Sequence, residues 1–252
     1  DIGTGDITSL ATIDFSETGQ ATVIAKQGGI LCGAEIAGDV YSLVDKQLRI
    51  NRKLDDGYRL NSGDVVMEIY GPLQSILAAE RLSLNILGHL SGIATYTGSI
   101  IDKLPANCQL QILDTRKTMP LWRKWQKYAV KTGGGKNHRI GLFDMILIKE
   151  NHSRASGGLK KAIEKSLEYK KAHQQDCKIE IEVTNLDELK QVIEFPVDIV
   201  MLDNMSPEQI RKAVEITPST IKLEVSGGIT EKSIEKYAHL GIDYISMGAL
   251  TH

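Results

Sequence analysis

Six short runs in the second half of the chain, QLQILD, DMILIK, IEIEV, DIVMLD, IKLEVS and DYISMG, are apolar and rich in β-branched residues, and they read as buried strands. Between several of them lie stretches of helical periodicity, GGLKKAIEKSLEYKKAH and SPEQIRKAVEI among them. Strand alternating with helix dictates a parallel sheet, because a parallel pair cannot be closed by a tight turn and the connection must cross back over the sheet. From Ile179 to Gly248 the units recur about every 22 residues, a spacing that suits a βα barrel better than an open sheet. With six strands visible rather than eight, the expectation is α/β with an incomplete, TIM-like barrel of about six or seven strands.

The first half reads differently. Between Ala21 and Pro72 the runs ATVIAK, GILCG, QLRINRKL and DVVMEIYG are separated by glycine and by the turn Asn61-Ser62-Gly63-Asp64, which predicts a small sheet. One helix over Ala34–Val44 interrupts it. From Leu73 to about Leu104 apolar residues recur at helical spacing, with Gly88 and Gly92 as expected bends, and this segment bridges the halves. The expected domains are therefore 1–103 and 104–252.

Thirty basic and 32 acidic residues leave a net charge of -2, so the chain as a whole has no electrostatic reason to seek nucleic acid or a membrane, and any charged function is local. No run reaches the roughly 18 apolar residues of a membrane span and no basic-then-apolar signal opens the chain. Cys32, Cys108 and Cys177 are odd in number and lack CxxC spacing, which fits three buried thiols in a reducing cytoplasm. The sequence begins at Asp1 without an initiator methionine, so a preceding segment is expected.

Chemistry concentrates at the C-terminal tips of the predicted strands, where a (β/α) barrel builds its active site. The first run closes with Asp114, Thr115, Arg116 and Lys117; the second with Lys149 and Glu150; the third holds Glu180 and Glu182; the fourth closes with Asp203 and Asn204. The fifth ends in Ser226-Gly227-Gly228 and the sixth in Met247-Gly248-Ala249; their backbone N–H groups, at helix starts, suit a phosphate monoester. In GGGKNHR, residues 133–139, three glycines permit close approach to a ligand beside His138 and Arg139. Each piece has an ordinary alternative. SGGI is a common strand-to-helix turn, Asp203 suits the cap of a helix starting near Ser206, and His138 alone suits a structural histidine. Glu180 and Glu182 share one side of their strand, a costly placement unless cations or hydroxyls meet them. Lysines and arginines usually belong to solvated faces, yet Arg116, Lys117, Arg139 and Lys149 all adjoin a strand end or the glycine run.

The motifs DTRKT followed by a proline, KYAV, GGGKNHR, LIKENH, IEIEV, VMLDN, EVSGGI and ISMGALTH, with GTGDIT and AERLSLNILGHLSGIATYT in the first half, occur in an order and spacing that resembles the quinolinate phosphoribosyltransferases. The resemblance covers essentially the whole chain. It implies an open-faced N-terminal α/β sandwich plus a partial barrel, and transfer of the phosphoribosyl group of 5-phosphoribosyl-1-diphosphate to quinolinate, with loss of diphosphate and CO2, to give nicotinate mononucleotide for NAD synthesis. It implies a homodimer, with higher assemblies open, in which Arg81 of one subunit completes the partner's site. Quinolinate would meet Arg116, His138 and Arg139, with Lys117 and Lys149 between the two substrates. Glu182 and Asp203 would face the ribose and a Mg²⁺ held mainly through water, beside Asn204, while Ser226, Gly227, Gly228 and Gly248 would hold the 5-phosphate.

Elementary chemistry agrees with this assignment. Two carboxylates on a flat ring call for guanidinium forks. Displacing diphosphate from C1 builds positive charge on the sugar, so carboxylates belong near the ribose and cations near the departing anion. Two departures stand out: Leu121 and Trp122 follow the proline where the family commonly has a glycine first, and Gln126 replaces a frequent acid before KYAV. Both are expected to tune packing of that loop. Rival readings are a molybdenum-transport-associated relative acting on another acceptor, a Schiff-base aldolase using Lys149, and a non-catalytic binder of phosphometabolites.

Overall fold

The structure, a computed structural model, describes residues 1–252. It divides into two compact units, Asp1–Gly98 with Trp125–Gly134, and Ser99–Lys124 with Gly135–His252.

In the first unit, α1 (Ile7–Thr12) is capped by the Asp6 carboxylate, which accepts from the N–H groups of Thr8 and Ser9. Strands β1 (Thr18–Ile24) and β2 (Gly29–Ile30) precede α2 (Ala34–Val44), and β3 (Arg49–Arg52), β4 (Arg59–Leu60) and β5 (Val65–Pro72) follow. The antiparallel sheet runs β1-β5-β3, and β2 pairs separately with β4. Helix α2 has no cap of its own, since Gly33 precedes it. The Asp56 carboxylate supplies one from a distance, accepting from the N–H groups of Gly33 and Ala34 at 2.8 and 2.9 Å and from the Tyr128 hydroxyl at 2.7 Å.

Helix α3 (Leu73–Ile101) is continuous through Gly88 and Gly92, which do not interrupt it. Both glycines are exposed, with open space where a side chain would project. Each costs about 1 kcal/mol against alanine, and the buried stripe of Ile86, Leu87, Leu90, Ile93 and Ala94 outweighs that cost. After β6 (Gln111–Leu113) comes α4 (Arg123–Thr132). The substituted Gln126 is buried, with its amide nitrogen 2.9 Å from His89 Nε2, so the amide does pack and keeps a partner where the family's acid would stand. Gly133, following α4, allows close packing: a Cβ there would lie 2.3 Å from the Ala94 carbonyl oxygen. Gly134 then turns the chain at φ +93°. These two glycines serve packing and chain reversal, correcting the expectation that they approach a ligand.

The second unit contains β6, β7 (Met145–Ile148), β8 (Lys178–Val183), β9 (Ile199–Asp203), β10 (Lys222–Ser226) and β11 (Tyr244–Ser246). Interleaved with them are α5 (Glu150–Ser156), α6 (Leu159–Ala172), α7 (Leu186–Val192) and α8 (Pro207–Ile216). All six strands are parallel, in the order β6-β11-β10-β9-β8-β7. First strand pairs with last, as in a barrel, but β6 and β7 do not pair, and no closed barrel forms. A single isolated bridge, Leu113 with Lys136, lies at this open seam. Ile181, Val200, Leu202, Val225 and Ile245 fill the core. All three cysteines are free; burial pushes the Cys32 thiol up to about 12, while Cys108 and Cys177 are only partly buried, short of the full burial expected. No helix is long and apolar enough to cross a membrane.

Candidate active site

The C-terminal tips of the six parallel strands open into one cavity of about 1000 Å³ within the second unit. Into it face Arg116 and Lys117 after β6, His138 and Arg139 before β7, Lys149 after β7, Glu182 on β8, Asp203 and Asn204 at the end of β9, Ser226, Gly227 and Gly228 at the end of β10, and Gly248 after β11. Twelve of the thirteen residues singled out from sequence therefore share one space. The thirteenth, Arg81, lies on α3 of the first unit with its side chain exposed.

Arg116 and Arg139 interact electrostatically within the cavity. The buried Asp114 carboxylate accepts from the Asn137 amide at 2.6 Å and the His138 N–H at 2.9 Å, which fixes the loop carrying Arg139. Arg139 donates to the Met145 carbonyl at 3.2 Å. Burial first, and then the charge of Arg116, lowers the Arg139 pKa. Two guanidinium groups that raise each other's energy are relieved by a dianion placed between them.

The His138 ring is engaged on both sides. Its Nδ1 accepts the Arg139 N–H at 2.8 Å, so the ring proton belongs on Nε2, which lies 2.9 Å from Glu180 Oε2 and 3.6 Å from Glu224 Oε2. Both glutamates are fully buried. Burial, followed by the charge of Glu180, holds the Glu224 carboxyl well above the usual carboxylate range. These three side chains bring possible metal-ligating atoms within 4.8 Å of one another. In this tautomer Nε2 carries a proton rather than a lone pair and is not a metal ligand, so the three groups read as a close buried cluster with His138 Nε2 within ion-pair distance of Glu180.

At the end of β7, the Lys149 ammonium pairs with Glu182 Oε2 on the neighbouring strand β8. The Lys149 N–H is held by His152 Nδ1 at 3.0 Å, part of the capping box of α5. Asp203 is not the cap of α8. Ser206 takes that role, reciprocally with Gln209, and Asp203 is left for the cavity, its Oδ2 accepting from Asn204 Nδ2 at 2.8 Å. Asn204 itself stands at φ +53°, a conformation asparagine tolerates better than most residues.

The glycine cradle departs from expectation in one respect. No α-helix follows Ser226-Gly227-Gly228; the chain turns through Gly227 and Gly228 at φ +98° and +61° and reaches only a short 3₁₀ turn at Ile234–Tyr237. Left-handed glycines rather than a helix dipole shape this loop. At Gly248, which opens a second 3₁₀ turn, a Cβ would lie 2.9 Å from Lys117 Cδ, so the missing side chain makes room for the lysine. Thr115 and Met247, named at strand ends from sequence but given no role, also line the cavity, as do Ser246 and His252, which sequence reasoning missed. Ser246 sits at a strand tip and was accessible to the same rule that found the others. His252, four residues beyond Gly248 in GALTH, carried no comparable spacing signal.

Leu121, the departure after the proline, is 99% exposed and stands at φ +67°. It packs against nothing, which corrects the expectation of a packing role, and the left-handed backbone explains why glycine suits this position. Leu121→Gly is expected to raise stability by about 0.5–1 kcal/mol, relieved strain outweighing the added freedom of the unfolded chain. Urea unfolding of the two proteins measures it.

Two family patterns match the chain: the quinolinate phosphoribosyl transferase N-terminal domain over residues 6–91 and its C-terminal domain over residues 93–252. A probable nicotinate-nucleotide pyrophosphorylase (carboxylating) of Bacillus subtilis is 41% identical over 252 residues, spanning 100% of this chain and 86% of that protein. The chloroplastic nicotinate-nucleotide pyrophosphorylase (carboxylating) of Arabidopsis thaliana is 37% identical over 264 residues, spanning 99% and 75%. Among solved structures, NadC from Streptococcus pyogenes superposes with a TM-score of 0.95 at 38% identity, covering 100% of this chain and 88% of that one. The nicotinate-nucleotide pyrophosphorylase of Francisella tularensis gives 0.93 at 46%, covering 100% and 87%.

Proposed function

We infer the working of the cavity from one premise: the chain belongs to the quinolinate phosphoribosyltransferase family. It is an enzyme that transfers the phosphoribosyl group of 5-phosphoribosyl-1-diphosphate to quinolinate with decarboxylation, giving nicotinate mononucleotide, diphosphate and CO2. The observation that carries the residue assignments is the convergence in one cavity of Arg116, Arg139, Lys117 and Lys149 with Glu182, Asp203 and the glycine loops.

In this reading the two carboxylates of quinolinate lie against the guanidinium groups of Arg116 and Arg139, whose mutual repulsion the dianion offsets. Arg81 from the second subunit of a homodimer adds a further cation; its exposed position on α3 leaves it available for that contact. His138 acts beneath the substrate, its ring holding the Arg139 backbone in place. Ser226, Gly227, Gly228 and Gly248 offer backbone N–H groups to the 5-phosphate, while Glu182 and Asp203 face the ribose.

As the C1–O bond to diphosphate lengthens, positive charge grows on the sugar and negative charge on the leaving group. The carboxylates of Glu182 and Asp203 stabilise the first, and the ammonium groups of Lys117 and Lys149 the second. The attacking atom is the pyridine nitrogen. Once ribosylated that nitrogen is cationic, and its charge stabilises the in-plane electron pair left on the adjacent ring carbon when the carboxylate departs as CO2; a proton from solvent then takes that pair to complete nicotinate mononucleotide. Glu182 and Asp203 also fit Mg²⁺, a hard ion that prefers oxygen and keeps most of its waters. Glu182 is already paired with Lys149 and Asp203 with Asn204, which favours contact through water over a direct cage. When bound, Mg²⁺ would supply neutralising charge to the diphosphate.

Incubation with quinolinate, 5-phosphoribosyl-1-diphosphate and Mg²⁺, with nicotinate offered as a competing acceptor, tests the reading. Nicotinate mononucleotide and CO2 are expected from quinolinate. Product from nicotinate alone would overturn the assignment of the acceptor.

A further inference from the structure

Arg116 and Arg139 flank the open seam of the barrel. Arg116 follows β6 and Arg139 precedes β7, and these strands are the two unpaired edges of the six-stranded sheet. A strand ladder fixes the distance between neighbouring loops to within a fraction of an ångström, but no ladder joins this pair. Below the forks, backbone links between Ile112, Asp114 and Lys136 and the Asp114 side chain tie the two segments together. At the level of the forks a different residue spans the gap.

That residue is Arg123, the first of α4. Its Nε donates to Thr118 Oγ1 at 3.0 Å, Nη1 to the Ile140 carbonyl at 3.2 Å and Nη2 to the Arg116 carbonyl at 3.5 Å. The acceptors belong to two loops. Arg116 and Thr118 lie on the loop after β6, and Ile140 immediately follows Arg139. A planar guanidinium with donors in a fixed fork holds such acceptors at a set separation, which a single ammonium on a flexible stem cannot do. The Ile140 side of the clamp is itself anchored, because Asp144 accepts from the N–H groups of Ile140 and Gly141 at 2.8 and 2.9 Å.

We propose that Arg123 is a positioning residue for acceptor recognition: by bridging the loops across the seam it sets the span between the Arg116 and Arg139 guanidinium groups to the separation of two adjacent ring carboxylates. The proposal rests on the function inferred above. It makes Arg123 a determinant of selectivity for a 1,2-dicarboxylate, although Arg123 touches neither substrate. A ligand with one carboxylate needs one fork and is indifferent to the span.

Arg123→Gln and Arg123→Lys, assayed in the otherwise unaltered enzyme, test this. Losing the fork geometry is expected to raise the quinolinate KM by about 10- to 50-fold, the range of one or two hydrogen bonds misplaced. The KM for 5-phosphoribosyl-1-diphosphate should stay within about twofold and the melting temperature within a few degrees, since the clamp lies on partly exposed loops. Inhibition by nicotinate should change by less than about threefold, so the ratio of quinolinate to nicotinate affinity falls by about an order of magnitude. An unchanged quinolinate KM in both variants would overturn the proposal. So would a parallel rise in both substrate KM values, or equal weakening of quinolinate and nicotinate, each of which marks general loosening of the fold. Wild-type protein without quinolinate activity would instead overturn the functional reading itself, a distinct result.

Discussion

Gly227→Ala is expected to lower kcat/KM for 5-phosphoribosyl-1-diphosphate by about 10²- to 10³-fold, the combined scale of left-handed strain on a non-glycine residue and of oriented backbone donors lost to a charged ligand. A Cβ at this position would lie 2.2 Å from Asn204 Oδ1, 2.5 Å from its Cγ and 3.0 Å from its backbone nitrogen, with φ at +98°. No relaxation of one side chain removes all three contacts. Asn204 must move, and it stands at φ +53°, with its N–H given to the Ser226 carbonyl at 2.9 Å and its amide to Asp203 Oδ2. The damage therefore spreads from the Ser226–Gly228 loop to the Asp203 carboxylate. Quinolinate affinity, measured alone by calorimetry, should change by less than about threefold, since Arg116 and Arg139 stand on other loops. The double variant Asn204→Gly with Gly227→Ala removes the clashing side chain and should recover part of the loss, a non-additivity expected only of residues in contact. Retained phosphoribosyl diphosphate kinetics in the single variant would show that this loop does not grip the phosphate.

The contrast between that loop and the rest of the site shows what the sequence could reveal. Strand tips were legible because buried parallel strands print as short apolar runs, and the residue that ends each run is placed by the sheet. Arg116, Lys149, Glu182 and Asp203 could thus be assigned to one end of a barrel from spacing alone. The residues that hold them could not. Arg123 acts across a seam that exists only because β6 and β7 fail to pair, and Glu224 lies buried among apolar neighbours in a run that looks like any other strand. Asp56 caps α2 from 22 residues away, a reach invisible to local capping rules. Glycines misled in both directions. Gly88 and Gly92 lie within one continuous helix held by its buried stripe, and Gly133 suggested a ligand loop, but its missing side chain admits the backbone of α3. Leucine at 121, by contrast, hid a left-handed turn behind a residue that seldom adopts one.

Lys149→Met is expected to reduce kcat by about 10²- to 10³-fold, the scale of removing one preorganised charge from a developing anion. The KM values should change far less. Lys149 is held from two sides, its ammonium paired with Glu182 and its N–H bound by His152, so its charge is positioned before substrate arrives and requires no reorganisation as diphosphate departs. Methionine keeps the length and apolar stem while deleting the charge, and it leaves Glu182, only 15% exposed along its side chain, without its partner. Lys149→Arg separates the two consequences: the cation and the pairing with Glu182 survive, and about a tenth of the activity should survive with them, the loss reflecting a bulkier and less compact charge. The same pair of variants decides between this chemistry and a Schiff base. An imine forms through the nitrogen of a lysine amine. It needs lysine specifically, so arginine would be as inactive as methionine, and borohydride would trap a carbonyl substrate on the wild-type chain. Residual turnover of about a tenth in Lys149→Arg, with Lys149→Met reduced to about a hundredth or less, is the pattern that electrostatic stabilisation of the leaving group requires.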